Sequence, residues 1–498
     1  MIQNLLVLGA GSAGLIAAIS LKKKIPQLNV RVVRSKSIGV IGVGEATTPN
    51  FPRHLFEYLG IPRKRFYSLA RPTWKLGIKF LWGERGSFDY TFNLQLDTKW
   101  SDLKQPTGFY CDDDFDNASF PGALMNHNMA FPRQENGAPD IHEWHAFHIE
   151  NKLFVQVLED VAREYGIEFI EGDVESVEKG PQGIAALHLK DGQRVAADFF
   201  VDASGFRSEL MGKALEEPFF SFNKSLFCDR AVVGGWDRRP GEAILPYTVA
   251  ETMDSGWCWR IDHEKVIHRG YVYCSGAVSD DDAREEFLRK NPQNTEEPRI
   301  VKFRSGCYER QWVQNVVALG NSGGFVEPLE STGIMMLCSH TQTLVDFLTH
   351  TNLNPTDTIR DLYNDLTVNG WKDVRDFLAI HYKFNGKLDT PFWKQTREDC
   401  DVSGVAELIK FYQENGPTGF CRYRLPNTQT DFGLEGFLVM FVGNKVPYKN
   451  RYTPTAQEKQ IWNARKLEYI EKAKRSLTSE EALAYVHHPG WKWNADPE

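Results

Sequence analysis
No apolar stretch of this chain approaches the roughly 18 residues that a membrane-crossing helix needs. The opening apolar run, Leu5-Leu6-Val7-Leu8, is also too short for a signal peptide. Positive charge is in deficit: 58 Lys and Arg stand against 66 Asp and Glu, a formal net charge of -8. That balance argues against nucleic acid or an anionic membrane as the main partner. The eight cysteines, at 111, 228, 258, 274, 307, 338, 400 and 421, form no C-x-x-C pair and no His/Cys cluster of metal-ligand spacing. They are expected to be reduced and mainly buried, and no metal site is expected. The acidic run at 111–117 lacks the glycine and closing glutamate of a calcium loop and reads as solvated. Internal repeats and low-complexity linkers are missing too. With 42% hydrophobic and 25% charged residues, disorder is excluded as the default and a cytoplasmic globular protein is expected.

What the chain does carry is a strand signal at 5–8, then Gly9-Ala10-Gly11-Ser12-Ala13-Gly14, then the helix signal Leu15-Ile16-Ala17-Ala18-Ile19. A G-x-G-x-x-G turn between strand and helix is a dinucleotide-binding fingerprint. The first glycine permits the turn, the second admits a pyrophosphate to the backbone, and the third lets helix and strand pack closely. The phosphates then rest on the helix N-terminus. The second strand, Val30-Arg31-Val32-Val33, ends in Arg34 instead of the acidic residue that meets ribose hydroxyls. Arginine there suits a 2′-phosphate or an adenine face, so the fingerprint leaves FAD and NADP both open.

Further glycine-rich turns follow. Residues 38–49 hold Gly39, Gly42 and Gly44 and end at Pro49, which predicts a loop in close approach to something flat, such as a cofactor ring. Asp202-Ala203-Ser204-Gly205 and Leu319-Gly320-Asn321 repeat the strand-to-glycine exit that a fold returning to its nucleotide requires. Residues 74–82 alternate as one strand, with Lys75, Lys79 and Leu81 on one face; helical spacing runs from 149 to 165 and is closed by Gly166. Residues 218–310 read as strands and turns, with Trp257 and Trp259 on one face. Thr332 and Gly333 open an apolar helix whose first amides suit an anion, with Glu330 beside them. Beyond 350 the pattern is helical; Thr453-Pro454 predicts an N-cap and first helical residue, and Thr478 to Glu481 a capping box.

Five of these stretches, in this order, resemble the flavin-dependent halogenases of the tryptophan halogenase family. Residues 9–14 and 42–48 resemble its FAD-binding turn and flavin-covering strap. Ile78-Lys79-Phe80 resembles the segment bearing its catalytic lysine, Trp257-x-Trp259-x-Ile261 its W-x-W-x-I-P signature, and residues 325–334 its F-x-E-P-L-E-S-T-G-I segment. The resemblance implies an α/β, FAD-binding Rossmann-like (G-x-G-x-x-G) fold of the flavoprotein monooxygenase type with an added, mostly helical C-terminal substrate region. Its expected parts are 1–215 and 311–350 around the cofactor, 216–310 as a β-rich region carrying the W-x-W pair, and 351–498 for substrate.

The implied reaction is oxidation of chloride or bromide by FADH2 and O2 to hypohalous acid, which halogenates an electron-rich aromatic, an indole or indole derivative. A separate NAD(P)H-dependent flavin reductase supplies the FADH2, and a homodimer is the expected assembly. Lys79 and Glu330 are the implied catalytic residues and Thr332 and Gly333 the halide site. Gly9, Gly11, Ser12, Ala13, Gly14, Arg34, Gly44, Glu45, Ala46, Thr47, Gly320 and Ile334 would hold FAD. Trp257 and Trp259 would wall flavin from substrate, and Tyr90 and Phe92 would line the substrate pocket. The chain departs from the family pattern at Asp262, where the signature ends in proline, at Arg34, and at Tyr90-Thr91-Phe92, where tryptophan-specific members carry His-x-Phe. The amino-acid-binding residues of those members are not recognisable in 446–462. The rival readings are a halogenase of tryptophan or of a carrier-bound aromatic, an FAD-dependent aromatic monooxygenase, and a flavin-binding protein without catalysis.

Overall fold
The computed structural model describes residues 1–35, 39, 44–92, 102–105, 107–141, 144–450 and 452–493. Continuous apolar runs are buried on both faces only when helices cover both sides of a sheet, and they build parallel strands here. Asn4–Leu8 lies within a six-stranded sheet of order Trp312–Val313, Val316–Ala318, Phe199–Asp202, Asn4–Leu8, Asn29–Arg34 and Glu168–Glu171. Every pairing is parallel except that of the edge strand Trp312–Val313. Helix Ser12–Lys24 is buried from Gly14 to Leu21 and packs against helices Asn151–Glu164 and Gly333–His350. The three glycine turns converge at the carboxyl ends of the strands. The Ala203 amide donates to the Leu8 carbonyl at 2.9 Å, and the Leu319 amide to the Asp202 carbonyl at 2.9 Å.

A second sheet of seven strands has the order Arg299–Lys302, Arg230–Asp237, Val266–Tyr273, Gly256–Asp262, Thr248–Met253, Gly77–Leu81 and Phe88–Thr91. The strand predicted over 74–82 is two strands in two sheets. Thr73–Lys75 joins Ala146–Ile149 and Glu45–Ala46 in a three-stranded sheet, while Gly77–Leu81 joins the seven-stranded one. Gly77 makes the crossing possible, because a Cβ there would lie 2.3 Å from the Tyr90 carbonyl oxygen. Within 218–310 there is also a helix, Asp280–Lys290, capped by Ser279 and opened by three aspartates. The strand-and-turn reading overlooks it.

The C-terminal part is helical as expected, with Asp357–Phe384, Pro391–Asp399, Ala406–Asn415 and Gly433–Gly443 packed on the large sheet in one apolar core. The next helix, Ala456–Lys474, starts two residues later than predicted. Thr455 is the cap because its hydroxyl accepts from the Glu458 amide while Glu458 reaches back to it. The capping box at Thr478 and Glu481 forms as predicted. Ala473, Leu477, Ala482, Leu483 and Val486 turn back into the core of the N-terminal sheet, across the expected regional boundaries. Among the described residues there is no disulfide and no helix long and apolar enough to cross a membrane.

Candidate active site
The nucleotide turn is shaped by what cannot fit and what can. A Cβ on Gly14 would lie 1.9 Å from the Gly9 carbonyl oxygen, and one on Gly9, at φ +115°, 2.3 Å from the Ala203 oxygen. One on Gly11 would meet nothing within 4 Å. Helix Ser12–Lys24 has neither a side-chain cap nor an acidic residue in its first turn. Its free amides therefore open onto space suited to a pyrophosphate. Ser12 donates to Asn151 at 2.8 Å, and the Asn151 amide reaches Glu45 at 3.4 Å, tying the helix start to the strand Glu45–Ala46. Ala13 faces Gly320, whose Cβ would lie 3.0 Å away, and Ile334 is buried in the first turn of the return helix. Residues 42 and 43 of the predicted strap lie outside the described residues. Arg34, the residue expected to meet the nucleotide, has its guanidinium held by Glu171 at 2.5 Å and Glu159 at 2.9 Å, over the ring of Phe169. Two carboxylates already satisfy its charge.

Lys75, not Lys79, is the lysine beside Glu330. Its side chain is fully buried, and its ammonium donates to Ser331 Oγ at 2.7 Å and to the Thr47 carbonyl at 3.1 Å, 5.0 Å from the centre of the Phe92 ring. Burial pulls its pKa from 10.5 down to about 7, an effect that Glu330 opposes. Lys79 lies one strand further on, paired with Asp89 at 2.7 Å and Asn126 at 2.8 Å and facing the ring of Tyr247. The alternation that places both lysines on one face holds only for an unbroken strand. The break at Leu76 sends Lys75 towards the nucleotide side and Lys79 into the large sheet.

Glu330 is buried, which raises its pKa, while His381 and Lys75 hold it back. The Nε2 of His381 lies 2.7 Å from Glu330 Oε1, and its Nδ1 lies 3.0 Å from the Phe377 carbonyl. A carbonyl only accepts, so Nδ1 carries a hydrogen and a single proton lies between Nε2 and the carboxyl. Imidazole and carboxylate thus form a proton-sharing pair. Ser331, between Glu330 and the helix, takes a left-handed φ of 59°, strain of the kind found where a site dictates the backbone. The Thr332 hydroxyl is buried without a hydrogen-bond partner, and a Cβ on Gly333 would meet nothing within 4 Å. With no cap and no acid in its first turn, helix Gly333–His350 offers a small anion a fitting seat.

The two tryptophans stand side by side on Gly256–Asp262, their rings 6.1 Å apart. Trp257 donates to Glu327 Oε2 at 2.6 Å, and Tyr382 donates to the same oxygen at 2.5 Å. Trp259 lies across Gly270, whose Cβ would fall 1.9 Å from its ring. Asp262, in place of the signature proline, is buried between Arg238 and Arg260 at 2.7 and 2.8 Å. Tyr90 packs on Phe377, and its hydroxyl donates to the Phe432 carbonyl at 3.3 Å; Phe92 faces Lys75. Sequence reasoning misses Lys75, Glu327 and His381 as site residues. Lys75 lies in the predicted strand 74–82, just ahead of the Ile78-Lys79-Phe80 segment, and Glu327 inside the 325–334 segment, whereas His381 is 51 residues from Glu330 with no local signal.

The tryptophan halogenase family model matches residues 4–460. The chain is 32% identical over 447 residues to the tryptophan 7-halogenase KtzQ of Kutzneria sp. (strain 744), covering 84% of this chain and 82% of the relative. Among solved structures it is similar to MibH, a lathipeptide tryptophan 5-halogenase, with TM-score 0.88 and 37% identity over 98% of this chain and 94% of the other. It is also similar to BrvH, a flavin-dependent halogenase from Brevundimonas sp. BAL3, with TM-score 0.84 and 28% identity over 98% and 99%. A match of this extent, over a fold with the glycine turns and the buried lysine and glutamate in place, identifies the chain as a member of the tryptophan halogenase family, and thereby as a flavin-dependent halogenase and an oxidoreductase.

Proposed function
We propose that the protein halogenates the indole ring of tryptophan, using hypohalous acid made from chloride or bromide, with Lys75 and Glu330 at the reaction centre. The observation that carries this reading is the burial of an amine and a carboxyl together at the start of helix Gly333–His350. Reduced FAD from a separate flavin reductase supplies, with O2, the two-electron oxidation of the halide. The turns at Gly9 to Gly14, Gly44 to Thr47 and Gly320 with Ile334 would hold it, and Thr332 and Gly333 would seat the halide. Neutral Lys75 attacks the halogen of hypohalous acid; the N–halogen bond forms, the O–halogen bond breaks, and a proton from nitrogen leaves with hydroxide as water. The ring carbon then takes the halogen as the N–halogen bond breaks, and the lysine nitrogen keeps the bonding pair. Glu330 accepts the proton that the ring loses and returns it to that nitrogen, restoring neutral Lys75, while His381 compensates the charge on the carboxylate. Trp257 and Trp259 keep the organic substrate apart from the flavin, and Glu327 fixes the Trp257 indole.

Phe92 and Tyr90 bring aromatic surface to the same place, which suits an indole held by stacking. Similarity to a lathipeptide halogenase favours a second reading, in which the tryptophan belongs to a peptide. The test is mass spectrometry of reactions containing FAD, a flavin reductase and NADH, with chloride or bromide, offered free tryptophan, indole and a tryptophan-containing peptide. A halogen isotope pattern that is lost in Lys75→Ala and kept in Lys79→Ala supports the reading. Hydroxylated product, or halogenation that survives in Lys75→Ala, overturns it.

A further inference from the structure
Away from the lysine and glutamate, three side chains far apart in sequence meet beneath Gly44. Glu150 lies at the junction of strand Ala146–Ile149 and helix Asn151–Glu164. His263 stands in the tight turn that joins Gly256–Asp262 to Val266–Tyr273, and His268 is on the latter strand. One carboxylate oxygen and one nitrogen from each ring all lie within 4.8 Å of one another, and His268 Nε2 is 3.2 Å from Glu150 Oε2.

His263 is 3% exposed, yet both of its ring nitrogens are buried without a hydrogen-bond partner. Its backbone is fully used, the amide donating to Val266 and the carbonyl accepting from Arg238, so the turn is held while the ring is left unsatisfied. A buried imidazole without a partner costs free energy unless something else binds it. Gly44, with φ +71°, roofs the cluster closely: a Cβ there would lie 2.8 Å from His263 Nε2 and 3.0 Å from His268. The glycine keeps the space clear.

We infer that Glu150, His263 and His268 form a binding site for a divalent transition-metal ion. Two imidazoles and one carboxylate are donors that suit Zn2+, and three protein ligands leave a further position to water. The ion is then the partner that one nitrogen of His263 lacks, and the other nitrogen carries the N–H of a neutral ring. The ion clips the hairpin carrying Trp257 and Trp259 to the corner between strand Ala146–Ile149 and helix Asn151–Glu164, under the strand Glu45–Ala46. Its role is to set the position of the tryptophan wall relative to the cofactor region.

The test uses the full chain, freed of metal by chelation and then incubated with ZnSO4 or CoCl2, with and without saturating FAD. The protein is expected to retain a single equivalent of Zn2+ through gel filtration, to show visible absorption with Co2+ from a low-symmetry nitrogen and oxygen site, and to melt at a higher temperature with the metal. His268→Ala and Glu150→Gln are each expected to weaken retention by about tenfold or more. His188→Gln, at a histidine paired with Glu178 in a different sheet from the cluster, controls for general effects and is expected to keep retention unchanged. His263→Gln, which retains a polar side chain, guards against misfolding and is expected to lose the metal while remaining folded. Absence of stoichiometric metal, or equal retention by His268→Ala, overturns the inference. So does a loss of FAD affinity in His263→Gln when the unaltered protein binds no metal, since His263 then serves the flavin directly.

Discussion

At the scale of single residues, the site depends on which of two lysines four positions apart is dry. Lys75→Ala is expected to lower the halogenation kcat by about 10²–10⁴-fold with FAD binding retained, as loss of an essential proton-transfer or nucleophilic group does. Lys79→Ala is expected to keep turnover within several-fold but to cost about 1–3 kcal/mol in denaturant unfolding, because Asp89 loses its buried partner. The lysine also sets a pH dependence. Its attacking form is neutral, so kcat should rise with pH through about 7, the value to which burial brings Lys75. Between about 7 and its usual 10.5 the folded Lys75 holds fewer protons than the unfolded one, so its contribution to stability grows with pH across that window. Unfolding titrations of Lys75→Met should lack that slope. Glu330→Gln is expected to reduce kcat by a similar 10²–10⁴-fold, measured at saturating substrate. His381→Gln should shift the pH midpoint of kcat and leave KM for the ring nearly constant, because it acts through Glu330.

At the scale of elements, the two glycines of one turn have opposite reasons for being glycine. Gly14 faces backbone at 1.9 Å, and Gly14→Ala is expected to destabilise the fold by about 3 kcal/mol or more, read as a fall in melting temperature. Gly11 faces open space, so Gly11→Ala should melt within a degree or two of the unaltered protein, by about the few tenths of a kcal/mol of a surface change. Its FAD affinity should nevertheless drop by at least about tenfold, because the added methyl occupies the phosphate's approach. Equal melting shifts in the two variants would contradict this division of roles. The crossing at Gly77 belongs to this scale too: it separates Thr73–Lys75 from Gly77–Leu81 and so decides which lysine enters the site.

At the scale of the whole molecule, the last helices act as a closing strap. Leu477 exchanges backbone hydrogen bonds with Ala130 and Phe131 at 2.7 Å, Glu480 accepts from the Ile244 amide, and His487 meets Glu264 at 2.7 Å. Leu477→Ala should cost about 2–5 kcal/mol, as deletion of a buried leucine does, and lower activity only in proportion to the folded fraction. A fall in activity well before any fall in the folded fraction would show that the tail acts on the site directly. The core joins residues near both ends of the chain, which is why composition alone yields soft regional boundaries.

Much of this fold is legible in the order of residues because its signals are local. The apolar run at 5–8 and the three glycines after it specify a buried strand, a turn and a helix within about twenty residues, and the same logic finds the turns at 205 and 320. Thr478 and Glu481 announce their helix for the same reason, since the hydrogen bonds of a capping box close within four residues. The local motif around Glu330 also places a carboxyl, a hydroxyl and a helix start together. What tertiary structure alone decides is everything that depends on burial and on contacts distant in sequence. It puts Lys75 in the dry site and Lys79 against Asp89, pairs Glu330 with His381, holds Arg34 with two glutamates, and gathers Glu150, His263 and His268 under Gly44. Strand alternation assigns a face but not a depth, and the proton affinity of an amine or a carboxyl is set by depth and neighbouring charge.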